Sequence, residues 1–198
     1  MKNILALLLC FTLLCCSKKS EQKISDNAEK VYVISKEDQN FKNKIDSINS
    51  VKQNGIIALP QKGFYGENHL IIDKNNFVFY YQRKNIPIFC SYGMEKETLP
   101  HLLDLQPKDL IKIPKDCIEK IIEENVMTKE KGKQILIVAS QKDSIKDREF
   151  LKFLHHMKVP SYIIRRTTQE EDTVLHYKKT NQYYNSNDIN WDKKRIKF

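Results

Sequence analysis

Apolar and polar positions follow two different periods along this chain. In the C-terminal half, Ile135-Leu136-Ile137-Val138-Ala139 is an unbroken apolar run that reads as a fully buried strand. Ser140-Gln141-Lys142-Asp143 follows as a loop and helix cap. Phe150, Leu151, Phe153, Leu154 and Met157 then fall on one face at helical spacing, and Val159-Pro160 ends that helix. Tyr162-Ile163-Ile164 returns as a strand. Strand, helix and strand within about 30 residues make a βαβ unit, expected as a right-handed parallel crossover.

The N-terminal half carries weaker signals of both kinds. Val31-Tyr32-Val33-Ile34 is β-prone, and Ser35 with Glu37 and Asp38 reads as a helix start. Phe41, Ile45, Ile48 and Lys52 share one face of that helix, with Gly55 as its stop. Residues 56–59 are a second apolar run ended by Pro60, and Phe64-Tyr65 lie on a loop between Gly63 and Gly66. Those two aromatics either make a contact surface or tuck back onto the core. Residues 69–73 and 77–82 form a β-hairpin around Asp73-Lys74-Asn75-Asn76. Pro87 sends the run at 86–90 to a sheet edge or a bulge. Residues 99–105 read as a short helix, and Pro114 opens another whose apolar face is Ile118, Ile121 and Ile122. Gln169-Glu170-Glu171-Asp172 begins a capped helix reaching about Lys178, and the tail is an edge strand or an ordered arm. The expected fold is α+β: a mixed β-sheet with packed helices, including the βαβ unit of the C-terminal half.

The first twenty residues follow neither period. Lys2 precedes an apolar run at 4–14, and the chain turns polar after Cys16. A spanning helix needs about 20 apolar residues, so the run reads as a secretory signal. Its end, Leu13-Leu14-Cys15-Cys16, resembles the lipobox of bacterial lipoproteins, with Cys15 where Gly or Ala is usual. The resemblance implies cleavage before Cys16 and a diacylglycerol and an acyl chain on that residue. Each buried CH₂ of such chains adds about 0.8 kcal/mol of membrane affinity, so the lipid alone holds the protein. The implied organisation is a signal peptide at 1–15, a flexible tether at 16–28 carrying lipidated Cys16, and a single α+β domain at 29–198. Surface-exposed lipoproteins of this kind often carry an acidic cluster after the cysteine. Lys18-Lys19 stand there instead, which points to an outer-membrane anchor facing the periplasm.

That address changes how the charge is read. The net charge is +9, a balance that ordinarily suggests nucleic acid. An exported chain meets little of it, and the lysines are dispersed among carboxylates, so no nucleic-acid partner is expected. The membrane, through the anchor, and an envelope protein are the expected partners. Processing leaves Cys16, Cys90 and Cys117. Cys90 and Cys117 are either buried free thiols, which their apolar settings favour, or a disulfide that the oxidising envelope permits.

Candidate chemistry is sparse. His155-His156 are adjacent on a helix and point about 100° apart, so they are no metal pair. No metalloprotease, nucleophile-elbow or nucleotide-binding motif is present, and no catalytic residue, metal ligand or cofactor is assigned. The loop after the buried strand is the best-placed site, because ligands of open α/β sheets sit at the carboxyl ends of strands. Ser140, Lys142 and Ser144, with Arg165 and Arg166 ending the partner strand, form a candidate anion site; alternatively these charges simply leave the sheet. Asp46-Ser47-Ile48, Asp143-Ser144-Ile145 and Asp172-Thr173-Val174 resemble the acceptor for O-glycosylation of exported Bacteroidetes proteins, which makes Ser47, Ser144 and Thr173 candidate sites. The expected function is a lipid-anchored, non-enzymatic binding or protein-interaction module. The alternatives are an envelope hydrolase at Ser140–Ser144 and Arg165–Arg166, or an immunity-type protein that blocks a toxin.

Overall fold

The apolar run at 135–139 lies inside the molecule's main sheet, with a parallel neighbour on each side. The computed structural model describes residues 31–51, 66–84, 102–156 and 161–192. The signal segment, Cys16 and its tether, the runs at 56–59 and 86–90 with Cys90, and the Phe64-Tyr65 loop lie outside the described residues.

Strand β1 (Tyr32–Val33) leads into helix α1 (Ile34–Val51). Strands β2 (Asn68–Ile72) and β3 (Val78–Gln82) pair antiparallel as the expected hairpin, with Leu70 opposite Tyr80. Asp73 builds the turn, its Oδ1 accepting from the Asn75 and Phe77 N–H groups at 2.8 Å each. Asn76 takes the left-handed φ of 63° that such turns demand. Strand β4 (Ile111–Ile113) adds to β3, and helix α2 (Ile118–Ile122) follows through a 3₁₀ turn. Strand β5 (Ile135–Ser140) leads through the two-residue β6 (Ser144–Ile145) to helix α3 (Arg148–His156). Strand β7 (Ser161–Arg166) and helix α4 (Gln169–Thr180) complete the elements.

The main sheet runs β4-β3-β2-β5-β7. β5 lies parallel to both β2 and β7, while β3 and β4 are antiparallel, so the sheet is mixed and the fold α+β. The β5–α3–β7 unit is the expected βαβ, with Val138 beside Ile164 in the parallel register. Parallel strands are buried on both faces, and alternate side chains of the sheet enter two separate cores. One face sends Leu70, Ile72, Leu136 and Val138 against Ile118 and Ile122 of α2 and Phe150 and Leu154 of α3. The other sends Ile71, Phe79, Tyr81 and Ala139 against Leu102, Leu110 and, from α4, Val174 and Leu175. Gly66, before β2, has no room for a side chain: a Cβ there would lie 2.5 Å from Ile137 Cγ1.

Three local readings change. The N-terminus of α1 is capped not by Ser35 but by Asp143, whose carboxylate takes the Ser35 N–H at 3.1 Å and its hydroxyl at 2.6 Å. This tie joins the β1–β6 pairing, in which Val33 faces Ser144, a pairing too short to see in the sequence. Residues 102–104 form a turn rather than a helix. The Leu102 N–H donates to the Glu170 carboxylate at 3.1 Å, and Pro107 blocks helical continuation. The tail, as far as Asp192, is an ordered arm: Asp192 N–H donates to Gln169 Oε1 at 2.9 Å, and Trp191 Nε1 to the Ser186 carbonyl at 3.2 Å.

Candidate cleft at the carboxyl ends of the parallel strands

β2 and β5 end side by side, and the chain leaves both in the same direction. Beyond them opens a cleft of about 300 Å³ between α2 and α3. Ile72, Val78, Ile118, Ile145 and Phe150 make its apolar wall, with Phe153 nearer the mouth. Lys115, Lys142 and Lys146 stand on its rim among Asp116, Glu119, Asp147 and Glu149, so the cleft carries no excess of positive charge. Lys115 and Asp147 pair across the mouth and join the start of α2 to the start of α3. Asp147 also caps α3, accepting the Phe150 N–H at 3.1 Å. Burial pushes the Asp147 carboxyl up, but the Lys115 ammonium and the Phe150 N–H outweigh it and hold the group below the usual carboxylate range.

The structure brings Ser140, Lys142 and Ser144 to this cleft and separates the two arginines. Successive strand residues point to opposite faces. Arg166 pairs in register with Ser140 on the cleft side; its guanidinium donates to the Gln141 carbonyl at 2.8 Å and lies 3.9 Å from Asp143. Arg165 enters the opposite core and grips Glu171 there, so the expected Arg165–Arg166 pair does not form one anion clamp. The Ser140 hydroxyl is committed to the turn: it donates to the Lys142 carbonyl at 2.8 Å and accepts from the Lys142 N–H at 3.1 Å. Ser47 is exposed on α1. Ser144 is half-buried in β6, and Thr173 donates to the Gln169 carbonyl within α4. Cys117 is a free, half-buried thiol.

Behind the sheet lies a chain of buried polar groups. His69, Tyr81 and Glu171 are at most 1% exposed and Arg165 is 8% exposed. His69 Nε2 donates to the Gly66 carbonyl at 2.8 Å, and the Tyr81 hydroxyl lies 2.9 Å from His69 Nδ1. That hydroxyl donates to Glu171 Oε1 at 2.7 Å. Arg165 meets both Glu171 oxygens, at 2.7 and 2.9 Å, and the Thr168 N–H adds a bond at 2.8 Å. Burial alone would raise the Glu171 carboxyl, but the Arg165 guanidinium holds it far below the usual range.

No protein-family model, no curated protein and no solved structure matches this chain.

The chemistry of the cleft is therefore read from its own groups. It offers an apolar wall, paired charges of both signs at the mouth, and no hydroxyl free of its own backbone at Ser140. Among the described residues, no cluster of His, Cys, Asp and Glu could hold a metal ion, and no helix is long and apolar enough to cross a membrane. Sequence reading missed Lys115, Asp147 and Phe153 as cleft residues, because only the packing of α2 against α3 brings them together. It also missed the buried chain behind the sheet. One trace of that chain was legible: Thr168 and Glu171 stand at capping-box spacing, and the structure contains that box.

Proposed function

We propose that this protein is a lipid-anchored binding module of the bacterial envelope, held by Cys16 to the outer membrane and facing the periplasm. The body binds a small envelope ligand or a side chain of an envelope protein in the cleft at the ends of β2 and β5. The observation that carries this reading is the cleft itself, which sits where α/β sheets bind ligands and gathers Ser140, Lys142 and Ser144 around an apolar wall. The binding reading gains over the hydrolase because the Ser140 hydroxyl is held on both its donor and its acceptor side by Lys142. Export leaves nucleic acid out of the account.

The test is recovery of the native protein from membranes with mass spectrometry of what accompanies it, beside three variants. Cys16→Ala releases the protein from the membrane. Glu149→Trp fills the cleft from an exposed position on α3, and Lys178→Trp makes the same change on α4, away from it. A companion lost with Glu149→Trp but kept with Lys178→Trp supports the cleft. Companions indifferent to both variants sink the cleft reading, and wild-type protein that never partitions with membrane sinks the anchor.

A further inference from the structure

The buried chain behind the sheet has one hydrogen too few. The Gly66 carbonyl can only accept, so the hydrogen of a neutral His69 ring sits on Nε2. Nδ1 then presents a lone pair to the Tyr81 oxygen, 2.9 Å away. Tyr81 has a single hydroxyl hydrogen, and the ionised Glu171 carboxylate claims it at 2.7 Å. A proton on Nδ1 would supply the missing donor. It would also place a second cation in the interior beside Arg165, whose guanidinium already engages both Glu171 oxygens. Of the nearby charged groups, Arg83, just after β3, acts on Tyr81, and Glu170 on α4 acts on Arg165. β5, the other strand beside β2, places the apolar Ile137 against His69. Burial pushes the imidazole below its ordinary pKa against the pull of Glu171, and Arg165 pushes the same way.

These groups supply polar joints between α4 and the sheet, beside the Lys179–Asp73 ion pair and the Gln141–Asp172 hydrogen bond. Glu171 ties α4 to β3 and β7, Glu170 ties it to Leu102, and Gln169 ties it to the arm at Asp192. The opposite face, with α2 and α3, packs on the sheet through apolar side chains. We propose that His69 is an acid-sensitive lock, whose proton uptake releases α4 and the arm that follows it from the sheet while α2 and α3 stay packed. The closed form excludes the proton and the open form accepts it, so acid favours opening. One proton taken up on opening changes the opening equilibrium tenfold per pH unit below the ordinary His pKa of about 6.5.

The experiment is amide hydrogen exchange of the full chain between pH 7.5 and 5, corrected for the intrinsic pH dependence of exchange. Protection in residues 169–192 is expected to fall about tenfold per unit below about pH 6.5, while residues 148–156 keep theirs. His69→Gln retains a donor toward Gly66 without a titrating ring, and should abolish the slope. Equal loss of protection in both segments, or the same slope in His69→Gln, overturns the proposal. Should that variant not fold, ¹⁵N spectra of wild-type imidazole decide. A ring that stays neutral with hydrogen on Nε2 while 169–192 loses protection supports the lock. A ring that titrates at the ordinary value with protection unchanged refutes it.

Discussion

Replacing Glu171 with Ala is the most searching perturbation of this fold. The carboxylate accepts from Arg165 twice, from the Tyr81 hydroxyl and from the Thr168 N–H, and it is fully buried. Removing it takes from the buried Arg165 guanidinium its bidentate carboxylate partner, a loss of about 3–5 kcal/mol. Half of the α4 capping box goes with it, worth about 1 kcal/mol. Together these approach about half the stability of a typical domain. With a urea slope near 2 kcal/mol per M, the midpoint should fall by about 2 M. Far-UV circular dichroism reports the whole domain, and Trp191, the only tryptophan, reports the arm beside α4. Coincident transitions with unchanged slope would confirm that a single cooperative unit was weakened. The double variant Arg165→Met with Glu171→Leu should be markedly more stable than Glu171→Ala alone, because it removes both charges. A loss below about 1 kcal/mol for Glu171→Ala, against the several expected when one partner of a buried ion pair is removed, would refute this account. A double variant that costs the sum of the two single changes would do the same.

Gly66→Ala should destabilise by about 1–3 kcal/mol, because its Cβ meets the fully buried Ile137 side chain and overpacks that site; thermal unfolding reads this, and the double variant with Ile137→Ala should cost less than the sum of the two single changes. Asn76→Ala should cost about 1 kcal/mol and Asn76→Gly nothing or less, since the residue holds a left-handed φ; equal effects in urea melts would contradict the turn geometry. Asp147→Ala should cost about 1 kcal/mol through the α3 cap, and Lys115→Ala less, because their ion pair is partly exposed. The Asp147 carboxyl lies below its ordinary pKa when folded. Its contribution is therefore present above that ordinary value and fades as pH falls through the folded one, so Asp147→Asn should flatten the acid limb of stability against pH. An unchanged limb would remove Asp147 from it.

The strongest local patterns in the chain carried the strongest expectations. A continuous apolar run at 135–139, a helical stripe at 150–154 and a second β run at 162–164 can be buried together in few ways, and the parallel β5–α3–β7 unit is one of them. The hairpin at 73–76 was equally legible, because Asp and Asn at those positions satisfy their own backbone. The lipobox resemblance at Cys16 is a local pattern too, and the proposed envelope address rests on what it implies. What local patterns cannot carry is which face a side chain meets after folding. Arg165 and Arg166 are neighbours in sequence, but the strand sends one to Glu171 in the dry core and the other to the Gln141 carbonyl beside the cleft. Asp143 caps a helix through Ser35, 108 residues earlier, and Lys115 closes on Asp147 only because α2 and α3 pack on the same face of the sheet. His69 reads as a polar residue in a β run until Tyr81 and Glu171 stack and bond around it. Periodicity is a property of neighbours along the chain, whereas burial, ion pairing and the proton balance of His69 depend on groups that only the packed sheet and helices bring within 3 Å of one another.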